Sequence, residues 1–394
     1  MERIGIYGGT FNPPHLGHIG AARCAAKALG LDKLLVIPDR IAPHKQLPVD
    51  SPSPEQRLAM LRLSLAEEPE MEVSDLELKR EGVSYTYQTI AQVKALYPQA
   101  KLYLLMGTDM FLSFHQWRNP ELIWADATLA VFCRGEKGEK VAIARQKQYL
   151  EGLGAEVALV DNPVLTISSS DLRRMIVFRC ADSFLPEGVG DYIRENGFYG
   201  VSRDYRNLPM EELEQVVTGL LKKNRVNHVL GCRDTAVELA KRWGADVTDA
   251  ARAGILHDIT KAIDGPLQLT LCREYGTILD DFSIRYPKTL HALTGSLVAE
   301  RIFGENEVVV SAIRHHTTGK ANMNLLEKII YVADYMEPNR DFPGVEELRR
   351  LAYTDINKAL KLGLEMTLEM LRSQNRQISP ESSQALAYLE ESGV

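Results

Sequence analysis

The chain has 394 residues, 45% of them hydrophobic and 25% charged, a balance that excludes a disordered chain. At roughly 100–200 residues per domain, the length suggests two or three domains with full-sized cores. The net charge is −7, divided as −3 up to Ser202 and −4 beyond it; no basic domain hides in the average, which argues against nucleic acid as a partner.

No apolar run approaches the roughly 18–20 residues of a membrane span. Met1–Ile6 leads straight into an expected strand with no signal-like region, so a cytoplasmic location and no membrane partner are expected. The cysteines at 24, 133, 180, 232 and 272 are scattered and form no CxxC. They read as reduced thiols packed as small hydrophobes.

The first 200 residues alternate strand-length apolar runs with helical stretches. The runs are Ile4–Tyr7, Leu34–Ile37, Leu102–Met106, Leu129–Cys133 and Val157–Val160. Most are continuous rather than alternating, as suits strands covered on both faces. Glu55–Leu65 and Tyr87–Leu96 lie between them with helical spacing. Domain 1–200 is therefore expected to be a doubly wound, Rossmann-like α/β unit with a parallel sheet.

After the first run comes Gly8-Gly9-Thr10-Phe11-Asn12-Pro13-Pro14-His15-Leu16-Gly17-His18. Its glycines let the backbone approach a ligand, and a helix is expected to start near His18. A helix start at the carboxyl edge of a parallel sheet attracts anions. His15 and His18, three apart, are placed to stabilise charge on one phosphoryl group.

This string resembles the signature of the HxGH nucleotidylyltransferases, and most closely that of the bacterial nicotinate mononucleotide adenylyltransferases. Pro43-His44-Lys45, Ser84-Tyr85-Thr86-Tyr87-Gln88-Thr89-Ile90 and Gly107-Thr108-Asp109 with Trp117 match further elements of that family. So do Ile167-Ser168-Ser169-Ser170-Asp171-Leu172-Arg173 and the stretch from Phe184 to Ile193. Ser170 and Leu172 depart from the usual Thr and Ile but keep a hydroxyl and an aliphatic. The resemblance implies adenylyl transfer from ATP to nicotinate mononucleotide, with Mg²⁺ bridging phosphates. It makes His15 and His18 catalytic and places Gly8, Gly9, Thr10, Phe11, His44, Lys45, Ser168, Ser169 and Arg173 around the substrates. Asp109, after Gly107, is implied near the ribose, and Trp117 with Thr86 near the pyridine ring. By spacing alone Trp117 reads as core and Asp109 as a cap.

Past about residue 205 the pattern turns helical. Pro209 opens a segment with Glu211, Glu212 and Glu214 at its start and Lys222 and Lys223 at its end, matching a helix dipole. Thr235–Trp243, Thr248–Leu256, Leu293–Phe303 and Leu325–Met336 also read as helices, and no strand is expected. Domain 207–394 is thus expected to be an all-α bundle.

Five of the nine histidines lie in it: His228, His257, His291, His315 and His316. Asp258 follows His257 directly. Four-residue steps from Leu326 through Ile330 put Asp334 on an apolar stripe, where a carboxylate is costly unless paired or metal-bound. Singly, each histidine reads as a satisfied core residue. Together, imidazole and carboxylate suit iron, manganese or zinc.

The series resembles the HD-superfamily phosphohydrolases, and within them the bacterial hydrolases of symmetrical dinucleoside tetraphosphates. The matching strings are His228-Val229-Leu230-Gly231, Leu256-His257-Asp258-Ile259-Thr260-Lys261, His316-Thr317-Thr318-Gly319 and Tyr331-Val332-Ala333-Asp334-Tyr335-Met336-Glu337-Pro338. The resemblance implies a binuclear iron, manganese or zinc site on His228, His257, Asp258, His291, His316 and Asp334, and cleavage of diadenosine tetraphosphate to two ADP. It makes Asp258 catalytic as well, with Lys261 a phosphate contact, and gives His315 no settled role. Two alternatives stay open: another nucleotide substrate for either unit, or a helical half that senses nucleotides without turnover. The oligomeric state, a homo-oligomer included, is not fixed by sequence.

Overall fold

A computed structural model of the chain describes residues 1–43, 47–48, 50–133, 138–161 and 167–394. The chain divides into two units, Met1–Arg203 and Asp204–Val394.

The first unit runs β1 (Arg3–Gly9), α1 (Leu16–Leu29), β2 (Lys33–Pro38), α2 (Pro54–Ser64), β3 (Met71–Val73), α3 (Thr86–Leu96), β4 (Lys101–Gly107), α4 (Thr108–Ser113), α5 (Pro120–Trp124), β5 (Ala127–Cys133), α6 (Glu139–Gly152), β6 (Val157–Asp161), α7 (Ser169–Val177) and α8 (Val189–Asn196). The strands form one six-stranded sheet in the order β3-β2-β1-β4-β5-β6, with every pairing parallel. This is the expected α/β class. Strand β3, which the sequence reading lacked, is a three-residue edge strand beside β2, too short to carry a periodicity of its own.

Alternate strand residues feed two cores. Ile4, Ile6, Leu35, Leu104 and Val131 pack with Ile90 and Val93 of α3. Leu34, Val36, Leu105 and Phe132 pack with Ile19, Ala22 and Ala25 of α1 on the other face. Each buried Leu or Ile contributes about 1.5–3 kcal/mol, so β1 is held rigidly from both sides. Strand order reverses between β1 and β4, which places the crevice at their carboxyl ends beside the loop after Gly9.

The second unit runs α9 (Met210–Leu220), α10 (Lys223–Trp243), α11 (Val247–Leu256), α12 (Gly265–Glu274), α13 (Asp281–Arg285), α14 (Leu290–Arg301), α15 (Glu307–His315), α16 (Leu325–Met336), α17 (Val345–Thr354), α18 (Ile356–Ser373) and α19 (Pro380–Glu391). Caps explain several starts. Asp246, Asn306 and Asn324 each accept a hydrogen bond from the backbone N–H three residues on, at 2.8, 3.0 and 2.9 Å. Helix α10 begins twelve residues before the expected Thr235, because Lys223, Asn224, Arg225 and Asn227 leave its first turns with little apolar period. Helices α10 and α11 cross closely at Gly254, where an added Cβ would lie 2.7 Å from the Arg233 Cα.

Candidate functional site

In the first unit the loop Thr10–His15 and the start of α1 hold residues expected to meet phosphate. Helix α1 starts at Leu16 rather than near His18, because extended His15 (φ −150°, ψ 166°) is its N-cap. The His15 backbone N–H donates to His18 Nδ1 at 3.2 Å, which leaves Nε2 as the protonated nitrogen of a neutral His18 ring. The two imidazoles stack with centroids 3.5 Å apart. Phe11, buried in the left-handed region at φ 47°, packs its ring edge-on to His18 at 5.1 Å.

Several groups tie this loop down. Fully buried Arg57 of α2 donates from Nη1 to the Thr10 carbonyl (2.6 Å) and to Asp39 Oδ1 (3.1 Å). The Thr10 hydroxyl donates to Asp39 Oδ2 at 2.7 Å. Arg173 donates to the Asn12 carbonyl (2.7 Å), Tyr199 to the Asn12 side-chain oxygen (2.6 Å) and Ser169 to the Pro13 carbonyl (3.1 Å). Ser168 is the N-cap of α7, accepting from the Asp171 N–H at 3.1 Å and donating to its carboxylate at 2.7 Å. The hydroxyls of Ser168 and Ser169, expected on phosphate oxygens, are thus engaged within the protein. Burial lowers the Arg173 guanidinium from its ordinary value and raises the Tyr199 phenol.

Gly8 has open space where a side chain would stand, whereas the space beside Gly9 is filled by the Phe11 ring. Gly107 closes β4, and the Asp109 carboxylate folds back over it, 2.9 Å from where a Cβ would sit. Thr86 opens α3, and half-buried Trp117 packs on Phe114 at 5.0 Å. Their chain neighbours meet, since the Arg118 guanidinium lies 4.6 Å over the Tyr85 ring. His44 and Lys45 lie outside the described residues. Arg57, Asp39 and Tyr199 were missed. Arg57 shares the apolar stripe of α2 with Leu61, a signal of the kind that marks Asp334. Tyr199 meets a partner 187 positions away and gives no local sign.

In the second unit five helix segments converge. His228 comes from α10, His257 and Asp258 from the end of α11, His291 from α14, His316 from the end of α15 and Asp334 from α16. His228 and His257 present their Nε2 atoms to each other at 3.4 Å. Asp334 Oδ1 lies 3.1 Å from His228 Nε2 and 3.9 Å from His257 Nε2. Asp258 straddles the cluster. Its Oδ2 is 3.6 Å from His257 Nε2 and 3.8 Å from His228 Nε2. Its Oδ1 is 3.5 Å from His291 Nε2 and 3.7 Å from His316 Nε2.

The Nδ1 atoms all point outward to oxygen: His257 to the Gly254 carbonyl (2.7 Å), His291 to Lys288 (2.8 Å), His316 to Ile313 (2.6 Å) and His228 to Glu337 Oε1 (3.1 Å). With each Nδ1 turned to an outer oxygen, each ring presents its Nε2 atom inward. Burial lowers His257 to about 4 and His291 to about 3. Burial would raise the Asp258 and Asp334 carboxyls, but their imidazole neighbours, with Lys261 and Arg340, hold both well below the usual range.

Two Nε2 atoms 3.4 Å apart beside the Asp258 and Asp334 carboxylates make a nitrogen and oxygen cage suited to a cation. Asp258 Oδ1 is buried and receives no hydrogen bond among the described residues. The triads His228–His257–Asp334 and His257–Asp258–His316 each bring their ligand atoms within 4.8 Å. The residues therefore fit divalent metal, and the nitrogen and oxygen donors suit iron, manganese or zinc.

Lys261 Nζ lies 2.8 Å from His291 Nε2 and 3.9 Å from Asp258 Oδ1. His315 turns away to the Ser311 carbonyl (2.9 Å) and Glu327 (3.6 Å). Three charged residues around the cluster were missed. Arg225 donates from Nε to Asp258 Oδ2 at 2.6 Å, Arg340 from Nη2 to Asp334 Oδ1 at 2.6 Å, and Glu337 orients His228. Glu337 comes close because residue 231 is glycine: a Cβ there would meet the Glu337 carboxylate at 2.5 Å.

The cytidylyltransferase-like family model matches residues 6–175 and the HD domain model matches residues 225–339. A Mycoplasma pneumoniae protein, "Probable nicotinate-nucleotide adenylyltransferase/Ap4A hydrolase", is 30% identical over 377 residues, covering 93% of this chain and 98% of its own. The chain belongs to this adenylyltransferase/Ap4A hydrolase family. Relatives of the separate halves agree. The "Bis(5'-nucleosyl)-tetraphosphatase, symmetrical" of Halalkalibacterium halodurans is 44% identical over 169 residues, 43% of this chain and 90% of that protein. The "Probable nicotinate-nucleotide adenylyltransferase" of Dictyoglomus thermophilum is 35% identical over 198 residues, 50% of this chain and 99% of that protein. The HD domain of this family member implies divalent metal binding, and the His/Asp cluster lies within the matched residues. No helix among the described residues is long and apolar enough to cross a membrane.

Proposed function

We propose that the chain is a bifunctional nucleotide enzyme of the cytoplasm, with residues 1–200 making nicotinate adenine dinucleotide and residues 207–394 splitting diadenosine tetraphosphate into two ADP. The carrying observation is the pair of preorganised sites: stacked His15 and His18 over a tethered loop, and four inward Nε2 atoms around Asp258.

In the first reaction the phosphate oxygen of nicotinate mononucleotide attacks the α-phosphorus of ATP. A new P–O–P bond forms, and the α–β bond breaks with its electron pair leaving on pyrophosphate. No protein nucleophile is required, so the residues position the reactants and stabilise charge. His18 Nε2–H and His15 donate toward the reacting phosphates, and Arg173, with Lys45, adds positive charge. Asp109 serves the ribose, and Trp117 with Thr86 serves the pyridine ring. Mg²⁺ carried with ATP supplies further charge neutralisation.

In the second reaction a water oxygen bonds to a central phosphorus and gives up a proton to solvent, and the bridging P–O bond breaks with its electron pair on the departing ADP. When bound, a pair of divalent ions, with iron the first choice and manganese or zinc the others, would supply Lewis acidity and ease loss of the attacking water's proton at neutral pH. His228, His257 and Asp334 would hold one ion, His291 and His316 the other, and Asp258 both. Lys261 contacts phosphate beside Asp258. The test is product analysis of the purified chain. Pyrophosphate is expected from ATP plus nicotinate mononucleotide, and ADP from diadenosine tetraphosphate once metal is supplied. Absence of either product removes that half of the assignment.

A further inference from the structure

Beside the metal cluster lies a cavity of about 180 Å³ lined by Leu221, Lys222, Asn224, Arg225, Lys261 and Ala262. Its polar lining is three cations and an amide, with no acid. Two lining residues also belong to the cluster: Arg225 bonds Asp258 Oδ2, and Lys261 lies on His291. Arg225 and Lys261 thus link the cavity lining to the cluster.

Lys222 is the N-cap of the 21-residue helix α10 and gives it no side-chain cap, and the first turn carries no acid. Cations at the positive end of a helix dipole oppose it, and neighbouring like charges repel each other. Lys222 forms no ion pair among the described residues to offset this. Arg225 and Lys261 answer to Asp258, so Lys222 is the lining cation without an acidic partner among the described residues. An anion of several charges would supply that partner and draw on the N–H groups opening α10.

We propose that this cavity is the polyphosphate subsite of the helical unit. It takes the phosphates beyond the scissile one, with Lys222 and Arg225 binding them and Lys261 bridging from subsite to metals. This deepens the proposed hydrolase reading and rests on it for the substrate. Lys222 is exposed at the cavity mouth and touches no metal ligand, so it is a specificity residue rather than a catalytic one. It makes chain length beyond the cleaved bond a determinant of binding.

The test uses the metal-loaded full chain. Lys222→Ala is expected to raise the KM for diadenosine tetraphosphate about tenfold while kcat stays within about twofold, with Lys222→Arg restoring most of the loss. Competitive inhibition of hydrolysis by inorganic tripolyphosphate should weaken by about the same factor, and inhibition by orthophosphate, which reaches only the metals, should not change. An unchanged KM and unchanged tripolyphosphate inhibition overturn the subsite, as does an equal loss with orthophosphate. If wild-type chain does not hydrolyse the tetraphosphate, the hydrolase reading fails on its own. Calorimetric titration with tripolyphosphate then decides the subsite, which stands if Lys222→Ala weakens a binding event and falls if the isotherms coincide.

Discussion

Asp258 is 1% exposed, and each of its oxygens faces a different pair of imidazoles. Removing it takes a ligand from both candidate ion positions at once. Asp258→Ala should lower bound metal and cut tetraphosphate hydrolysis by more than roughly 100-fold, as measured by elemental analysis and ADP release. Unchanged metal content would disqualify the cluster. Glu337 acts one step out, through His228 Nδ1. Glu337→Gln keeps the shape and weakens that polarisation. Metal affinity in a chelator competition should fall by roughly 10–100-fold, and equal affinity would make Glu337 merely structural. Arg57 plays the corresponding part in the first unit. Arg57→Met leaves Asp39 unpaired and frees the Thr10 carbonyl, so it should cost roughly 3–5 kcal/mol. The double variant with Asp39→Asn should recover part of that in denaturant unfolding; no recovery would mean the pair is not the cause.

At the level of elements, helix crossings bring the ligands together. Gly254 lets α11 lie against the Arg233 backbone of α10, which closes the gap between His257 and His228. Gly254→Ala should destabilise the helical unit by roughly 1–3 kcal/mol and weaken metal binding with it. Thermal unfolding and metal titration that both match wild type would show that the crossing tolerates a methyl. Glu327 of α16, fully buried, joins that helix to its neighbours through His315 and Ser311 of α15, Lys320 (2.7 Å) and the Asn324 N–H (2.7 Å). Burial would raise this carboxyl, but those partners hold it down at about 2, against an ordinary 4.5. The lower value belongs to the folded state, so the stabilisation, roughly 3 kcal/mol, is complete above about pH 5 and disappears as pH falls toward 2. The stability gap between wild type and Glu327→Gln should therefore be wide at pH 7 and close at low pH. A gap independent of pH would contradict this.

Much of this architecture was readable because its signals are periodic. Continuous apolar runs marked the five longer strands, and a carboxylate on an apolar stripe marked Asp334. Strand β3 escaped because three residues carry no period. The start of α10 escaped because Lys222, Asn224 and Arg225 face the cavity rather than a core. Tyr199 and Glu337 were invisible as partners because their contacts span 187 and 109 positions, and only the fold brings such positions together.

Over the whole molecule, the two units each have their own core and their own phosphate chemistry, and both carry net negative charge with cationic side chains placed at their sites. Substrates with several negative charges are then held by local donors against the average field. The account's central claim is that one chain holds two separate chemistries, His18 serving only the first and Asp258 only the second. The most direct test measures both activities in one preparation of the full chain: pyrophosphate from ATP plus nicotinate mononucleotide, and ADP from diadenosine tetraphosphate. His18→Ala should lose roughly 100-fold or more of the first activity and keep the second, and Asp258→Ala should do the reverse. Either variant silencing both activities, or leaving its own untouched, would contradict it.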